Sequence, residues 1–323
     1  MTQTLKTVLL LALPASGKSE VRRFLNHLSP HERTHDFHLG PTVQLDDFPY
    51  VHLMRRVDDE LAARGQARVY FEAPDRSFRD PRDWGTLIAL LDEDHADLVA
   101  KRVQSPGSAA ALLFDRFDAA SQAVGAAPRM SAIAAELRAA VADALEPEAR
   151  ALLNEKHAAY PDSLDGKTLV LEFARGGKDG SALPLDAPFG YRYSLAQLSP
   201  ELLADAGILY VWVTPEESRR KNQARTDPND PGSILHHGVP EYVMRNDYGT
   251  DDIGWLLEHS TRPGTVTVEA HGKTYHLPIA RFDNRVDKTS FVREDPSAWL
   301  PADRAALHEG LRAALSELAA FQR

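Results

Sequence analysis

The stretch ALPASGKSE, Ala12 to Glu20, brings together residue types that bind phosphate. Gly17, Lys18 and Ser19 match the end of the pattern G-x-x-x-x-G-K-[ST], with Ala12 standing where that pattern begins on glycine. The backbone from Pro14 through Ala15 and Ser16 to Ser19 would turn its N–H groups toward phosphate oxygens at a helix N-terminus. Lys18 would reach the outer phosphates, and the Ser19 hydroxyl would face Mg2+.

Other groups suit the same chemistry. Asp46 and Asp47 follow an apolar run in QLDDFPY, at a strand end where open parallel sheets bind ligands. A carboxylate there takes the proton of an attacking hydroxyl, with Asp46 the first choice of the two. Two aspartates ahead of a helix also suit a solvated helix start. Glu172 closes the apolar part of KTLVLEFA, a costly place for a charge without a partner. A magnesium-bound water would satisfy it, and so would a salt bridge to Arg175. Arg219, Arg220 and Arg225 would clamp a transferring phosphoryl group from a closing lid, Arg225 from the helix-to-loop junction; a solvated helix face is the alternative. Arg55 and Arg56 suit an anionic acceptor or a helix surface. His27, His31, His35 and His38 recur at helical steps, but Pro30 interrupts them, so surface positions are expected and not a metal site.

The elements needed to hold these groups are readable. Thr7 to Leu11 is a short buried strand. From Lys18 on, Val21, Phe24, Leu25 and Leu28 mark one helix face. Thr42 to Leu45 is a second strand, followed by a helix with Leu53, Met54, Val57 and Leu61 on one side. ARVYFEA, Ala67 to Ala73, reads as a further strand. Alanine-rich helical segments then run to about Tyr160, punctuated at Ser105-Pro106-Gly107, at Gly125 to Pro128 and at Glu146-Pro147. Strand patterns return at Lys167 to Ala174 and Gly207 to Val213. Ser199-Pro200-Glu201 opens a helix, and Thr214-Pro215-Glu216-Glu217 has the form of a capping box. Residues 225–250 form a loop-like lid rich in Asp, Pro, Gly and His. A hairpin centred on His271-Gly272 and an amphipathic helix from Ala302 to Phe321 complete the chain.

Strands alternating with helices predict an α/β fold with a mostly parallel sheet and helices on both faces. The expected division is an N-terminal part of the core over 1–80, a helical insertion over 81–160, and a C-terminal part over 161–323 carrying the lid, hairpin and last helix. The 323 residues contain no cysteine, which fits a reducing, cytoplasmic setting and excludes thiolate metal sites. The net charge of −10 argues against nucleic acid or anionic lipid as partner. No apolar stretch is long enough to span a bilayer. The run from Val8 to Leu13 is also too short for a secretion signal and lacks a small-residue cleavage motif. Composition is silent on oligomeric state.

With QLDDFPY following the phosphate pattern, the chain resembles the uridine kinase-like branch of the P-loop kinases. The strand LEFARG, the strand and basic helix YVWVTPEESRRKNQAR, and the strand end LPIARFDN occur in the order of that family. The resemblance spans roughly residues 5–60 and 165–290 and omits the helical insertion. It implies a P-loop NTPase fold, ATP with Mg2+, a small-molecule hydroxyl as phosphate acceptor, and a base-side position for Asn284. A GTPase would want N-K-x-D; Asn284 and Asp287 have that spacing, but Arg285 replaces the lysine. The rival expectation is a regulatory or binding P-loop protein that hydrolyses nucleotide slowly.

Overall fold

The computed structural model describes residues 4–225 and 238–321, with Arg225 given by its backbone alone. The chain opens with β1 (Thr7–Leu11), α1 (Lys18–His27), α2 (Pro30–Phe37), β2 (Thr42–Asp46) and α3 (Phe48–Ala63). Three long helices follow: α4 (Asp83–Ala100), α5 (Ala109–Ala123) and α6 (Ala135–Ala158). The chain then returns through β3 (Thr168–Phe173), α7 (Gly190–Ala196), α8 (Pro200–Asp205), β4 (Ala206–Trp212) and α9 (Pro215–Arg225). It closes with α10 (Glu241–Asn246), α11 (Ile253–Glu258), β5 (Thr265–Ala270), β6 (Lys273–Asp283) and α12 (Pro301–Phe321).

The six strands form one sheet in the order β2-β3-β1-β4-β6-β5. All pairs are parallel except β5 with β6 at the edge. β1 is therefore central, flanked by β3 and β4, and its end delivers the Ala12–Gly17 loop to the middle of the sheet. Side chains alternate between faces along each strand, so the apolar runs supply two cores. Leu9, Leu11, Leu171 and Ile208 pack under α4, α7, α8 and α11. Val8, Leu10, Val170 and Val211 pack under α1, α2 and α12. The antiparallel hairpin turns on His271 (φ 52°) and Gly272 (φ 70°), both in the left-handed conformation that matches strand twist.

A third core joins α3, α5, α6 and one side of α4. The expected insertion thus has no sharp start: Ile88 and Leu91 of α4 pack on the sheet, while Leu87 and Leu90 pack on the neighbouring helices. Glu146-Pro147 does not interrupt the helical region as expected. α6 runs through Pro147, and the Glu146 carboxylate accepts from the N–H groups of Ala109 and Ala110, at 3.1 and 3.0 Å, at the start of α5.

The strand expected over Ala67 to Ala73 is also absent. Only Phe71 pairs, in an isolated bridge with Phe78. The buried carboxylate of Asp58 in α3 takes the N–H groups of Val69, Tyr70 and Phe71 at 2.6–3.3 Å. A side chain has replaced a neighbouring strand as acceptor, so the β-type sequence runs through bends around Phe71 without joining a sheet. At Thr214 half of the capping box forms: its Oγ1 accepts from Glu217 N at 3.2 Å. The Glu217 carboxylate instead pairs with Arg220.

Candidate functional site

The loop between β1 and α1 is held by its carbonyls. Tyr191 Oη donates to Ala12 O at 2.9 Å, Ser218 Oγ to Pro14 O at 2.7 Å, and Asn284 Nδ2 to Ser16 O at 2.7 Å. Ser16 Oγ donates to Leu13 O. Donors from α7, α9 and the end of β6 therefore fix the loop before any ligand arrives. The positive φ angles fall on Ala15 (56°) and Gly17 (105°), not on Ala12. Alanine at position 12 consequently carries no left-handed strain, and the departure from the glycine pattern has no conformational cost. Gly17 is required twice over. Its φ disfavours a side chain, and a Cβ there would lie 2.5 Å from Thr289 Oγ1 and 2.9 Å from Asn284 Nδ2.

Three carboxylates meet this loop from neighbouring strands. Asp46 and Glu172 are register partners across β2 and β3. Arg22 Nη1 lies 3.3 Å from Asp46 Oδ2 and 2.5 Å from Glu172 Oε2. Asp46 Oδ1 also accepts from Phe48 N at 2.9 Å. Asp47 turns elsewhere and accepts from Arg175 Nη1 at 2.7 Å. Burial raises the pKa of all three. Asp47 adds to the rise at Asp46, and Asp46 to that at Glu172, while the nearby Lys18 cation opposes it at each. The salt bridge proposed between Glu172 and Arg175 does not form: Arg22, one helical turn beyond Lys18, takes Glu172, and Arg175 takes Asp47. Arg175 also donates to Ser194 Oγ and to the carbonyls of Ala174 and Trp84, so its buried charge is fully engaged.

Pro14 to Ser19, Asp46, Asp47 and Glu172 line one cavity of about 140 Å3. Its far wall is apolar: Phe48, Val51, Phe71, Phe78, Trp84, Phe173, Val239, Pro240, Val243 and Tyr248, with Arg55 and Asp247 among them. The wall from Val239 to Tyr248 belongs to the segment expected as a lid. Its described part, 238–250, contains α10 and is anchored at both ends. Asn222 grips Val239 through its N–H and C=O at 2.9 and 2.7 Å. Thr250 pairs with Gly177. Gly176 permits that approach, because a Cβ on it would lie 2.5 Å from Thr250 O. The rest of the expected lid, 226–237, and the Arg225 side chain lie outside the described residues.

Other candidates have different surroundings. Arg219 pairs with Glu216 and Asp179, and Arg220 with Glu217; neither lines the cavity. Asn284 is fully buried, and its amide is spent on Ser16 O and Thr289 Oγ1. It braces the loop instead of facing a base. Asp287 pairs with the buried Lys221 at 2.8 Å. Burial raises its pKa, but Lys221 and Ser290 outweigh that and leave it below the usual range. The Asn284/Asp287 spacing thus ties the end of β6 to the loop and to α9. Arg56 pairs with Glu148 and Glu60 on the surface of the helical region. His31 and His35 stack on each other at 5.4 Å. Among the described residues, no three His, Asp or Glu side chains converge as a metal site.

Sequence reasoning missed Arg22, Tyr191 and Ser218, and it named Arg175 with the wrong carboxylate. Arg22 had a readable signal, one turn after Lys18 on a helix whose N-terminus faces the strand ends. The others become partners only through the sheet order. Among the described residues no helix is long and apolar enough to cross a membrane. Compared with protein-family models, curated proteins and solved structures, the chain matches none. What stands is an α/β fold with a mostly parallel sheet and a deep site at the carboxyl ends of its central strands.

Proposed function

We propose that the chain is a P-loop kinase, transferring the terminal phosphoryl group of ATP to a hydroxyl of a small molecule. One observation carries this reading: the loop from Pro14 to Ser19 opens into the same cavity as three strand-end carboxylates and an aromatic chamber. A protein that only senses or hydrolyses nucleotide has no need of an apolar chamber beside its phosphate loop. The central position of β1 is in keeping with ligand binding at the carboxyl ends of a parallel sheet.

In this reading the N-terminus of α1 and Lys18 receive the phosphates of ATP. Ser19, Asp46 and Glu172 would hold Mg2+, largely through its waters, and the ion would neutralise phosphate charge. Two carboxylates and a hydroxyl suit Mg2+, which keeps much of its water and takes few protein ligands. Arg22 keeps the two carboxylates side by side.

Asp47 takes the acceptor-facing role ahead of Asp46. Its support is position: its Arg175 partner lies 5.2 Å from the Trp84 ring in the chamber wall, whereas Asp46 is turned to Arg22. Asp47 orients the acceptor hydroxyl and takes its proton. The acceptor oxygen then forms a bond to the terminal phosphorus as the bond to the ADP oxygen breaks.

The direct test is ADP release measured across a panel of hydroxyl compounds. Release that depends on the compound is the expected result. Slow release, uniform across the panel, would favour a regulatory NTPase and overturn the kinase reading.

A further inference from the structure

The chamber has a chemical bias of its own, and it deepens the kinase reading on which it rests. Phe71 stacks on Phe78 at 4.4 Å, Phe78 meets Trp84 edge-on at 5.0 Å, and Trp84 meets Tyr248 at 5.5 Å. This chain of rings is an apolar surface whose π faces attract cations.

Two guanidinium groups stand near it, and only that of Arg175 is paired with a carboxylate. Arg55 lies 3.9 Å above Phe71 and donates to Pro74 O at 2.8 Å and Arg76 O at 3.4 Å. Arg175 is spent on Asp47, Ser194 and two carbonyls. Arg175 is thereby closed to an anionic acceptor; Arg55 bonds only neutral carbonyls and makes no ion pair among the described residues.

The opposite sign has a vacancy in its bonding. Asp247 lines the chamber, is only 4% exposed, and its Oδ2 has no hydrogen-bond partner. Burial dominates and pushes the group up to about 6, against the Ser77 hydroxyl and the Arg55 charge nearby, which both lower it. A buried carboxylate oxygen left unpaired is costly, and a ligand donor would remove that cost.

We infer that the acceptor is an amino alcohol with an apolar or aromatic body. Its ring lies against Trp84 and Phe78, its protonated amine is received by Asp247, and its hydroxyl reaches Asp47.

Ring-matched probes test this without nucleotide. Phenethylamine, phenethyl alcohol and phenylacetate differ in their terminal group and are titrated into the full chain by calorimetry. The amine should bind about tenfold more tightly than the alcohol, and phenylacetate most weakly. Asp247→Asn should weaken the amine about tenfold and leave the alcohol unchanged. Phenylacetate binding as tightly as the amine, an amine affinity indifferent to Asp247→Asn, or no binding by any probe would each overturn the inference. The wild-type ordering is a readout that needs no variant. ATP binding and its loss in Lys18→Ala are measured separately, so a failure here is distinguishable from a failure of the phosphate loop.

Discussion

Asp46 and Glu172 are register partners on adjacent parallel strands, and one nitrogen of Arg22 serves both carboxylates. A single guanidinium thus holds two buried negative charges side by side, leaving one of them uncompensated by that cation. Glu172→Gln keeps an oxygen for Arg22 and removes one charge. The fold should survive, and phosphoryl transfer should fall about 10- to 100-fold, with partial rescue by added Mg2+. An unfolded variant, or transfer with unchanged metal dependence, would make Glu172 a structural partner of Arg22 and nothing more.

Asp47→Asn and Asp46→Asn separate the two aspartates. Asp47→Asn should lower acceptor-stimulated ADP release by about 10²–10⁴-fold while nucleotide affinity stays near wild type. It also takes the negative charge from the buried Arg175, so urea unfolding should report a loss approaching about 3 kcal/mol. Asp46→Asn should act through metal dependence instead. Full stimulation in Asp47→Asn would remove it from the reaction.

Gly17→Ala places a side chain at φ 105° and against Thr289 and Asn284. The strain is expected to cost about 1–3 kcal/mol and to disturb the loop that Asn284 braces. Urea unfolding and nucleotide titration should both register it. Ala12→Gly is the contrast. Because Ala12 has no positive φ, glycine there should leave binding unchanged and lower stability by up to about 1 kcal/mol through the unfolded chain. Tighter nucleotide binding by Ala12→Gly would mean that the loop is strained at that position after all.

Glu146 supplies a pH-dependent contact in the helical region. Burial raises its pKa, but the N–H groups of Ala110 and Ala109, the Ser108 hydroxyl and Arg150 outweigh this and bring it from 4.5 to about 2. The native state therefore favours the charged form. Its stabilisation is complete above the unfolded value near 4.5 and disappears as pH falls through about 2. Glu146→Gln should lose about 1–2 kcal/mol at pH 7 and differ less from wild type at pH 3. A gap in melting temperature that is the same at both pH values would exclude the charge as the cause.

Periodicity made many elements legible. The run from Thr7 to Leu11, the helix face beginning at Val21 and the strand up to Phe173 are local patterns, and the structure repeats them within a residue or so. The tight hairpin at His271-Gly272 was readable for the same reason. ARVYFEA has the propensity of a strand but lost its sheet partners to the Asp58 carboxylate, reaching from a helix that precedes it, a contact strand propensity does not register. Glu146-Pro147 has the composition of a break. Packing of α6 against α3 and α5 carries the helix through it.

A strand, a tight glycine-containing loop and a helix in succession, with acidic residues at the ends of later strands, are written in local patterns of the chain. Hydrophobic period, backbone freedom at glycine and the helix start depend on neighbours in the chain. Which charges share which partners depends on how the strands are ordered in the sheet. β3 lies between β1 and β2, so Glu172 meets Asp46 and Arg22, while Asp47 turns to Arg175. The end of β6 reaches the loop after β1, so Asn284 became a brace for Ser16. Strand order sets these pairings through contacts between segments more than a hundred residues apart, where burial makes each unpaired charge or amide costly.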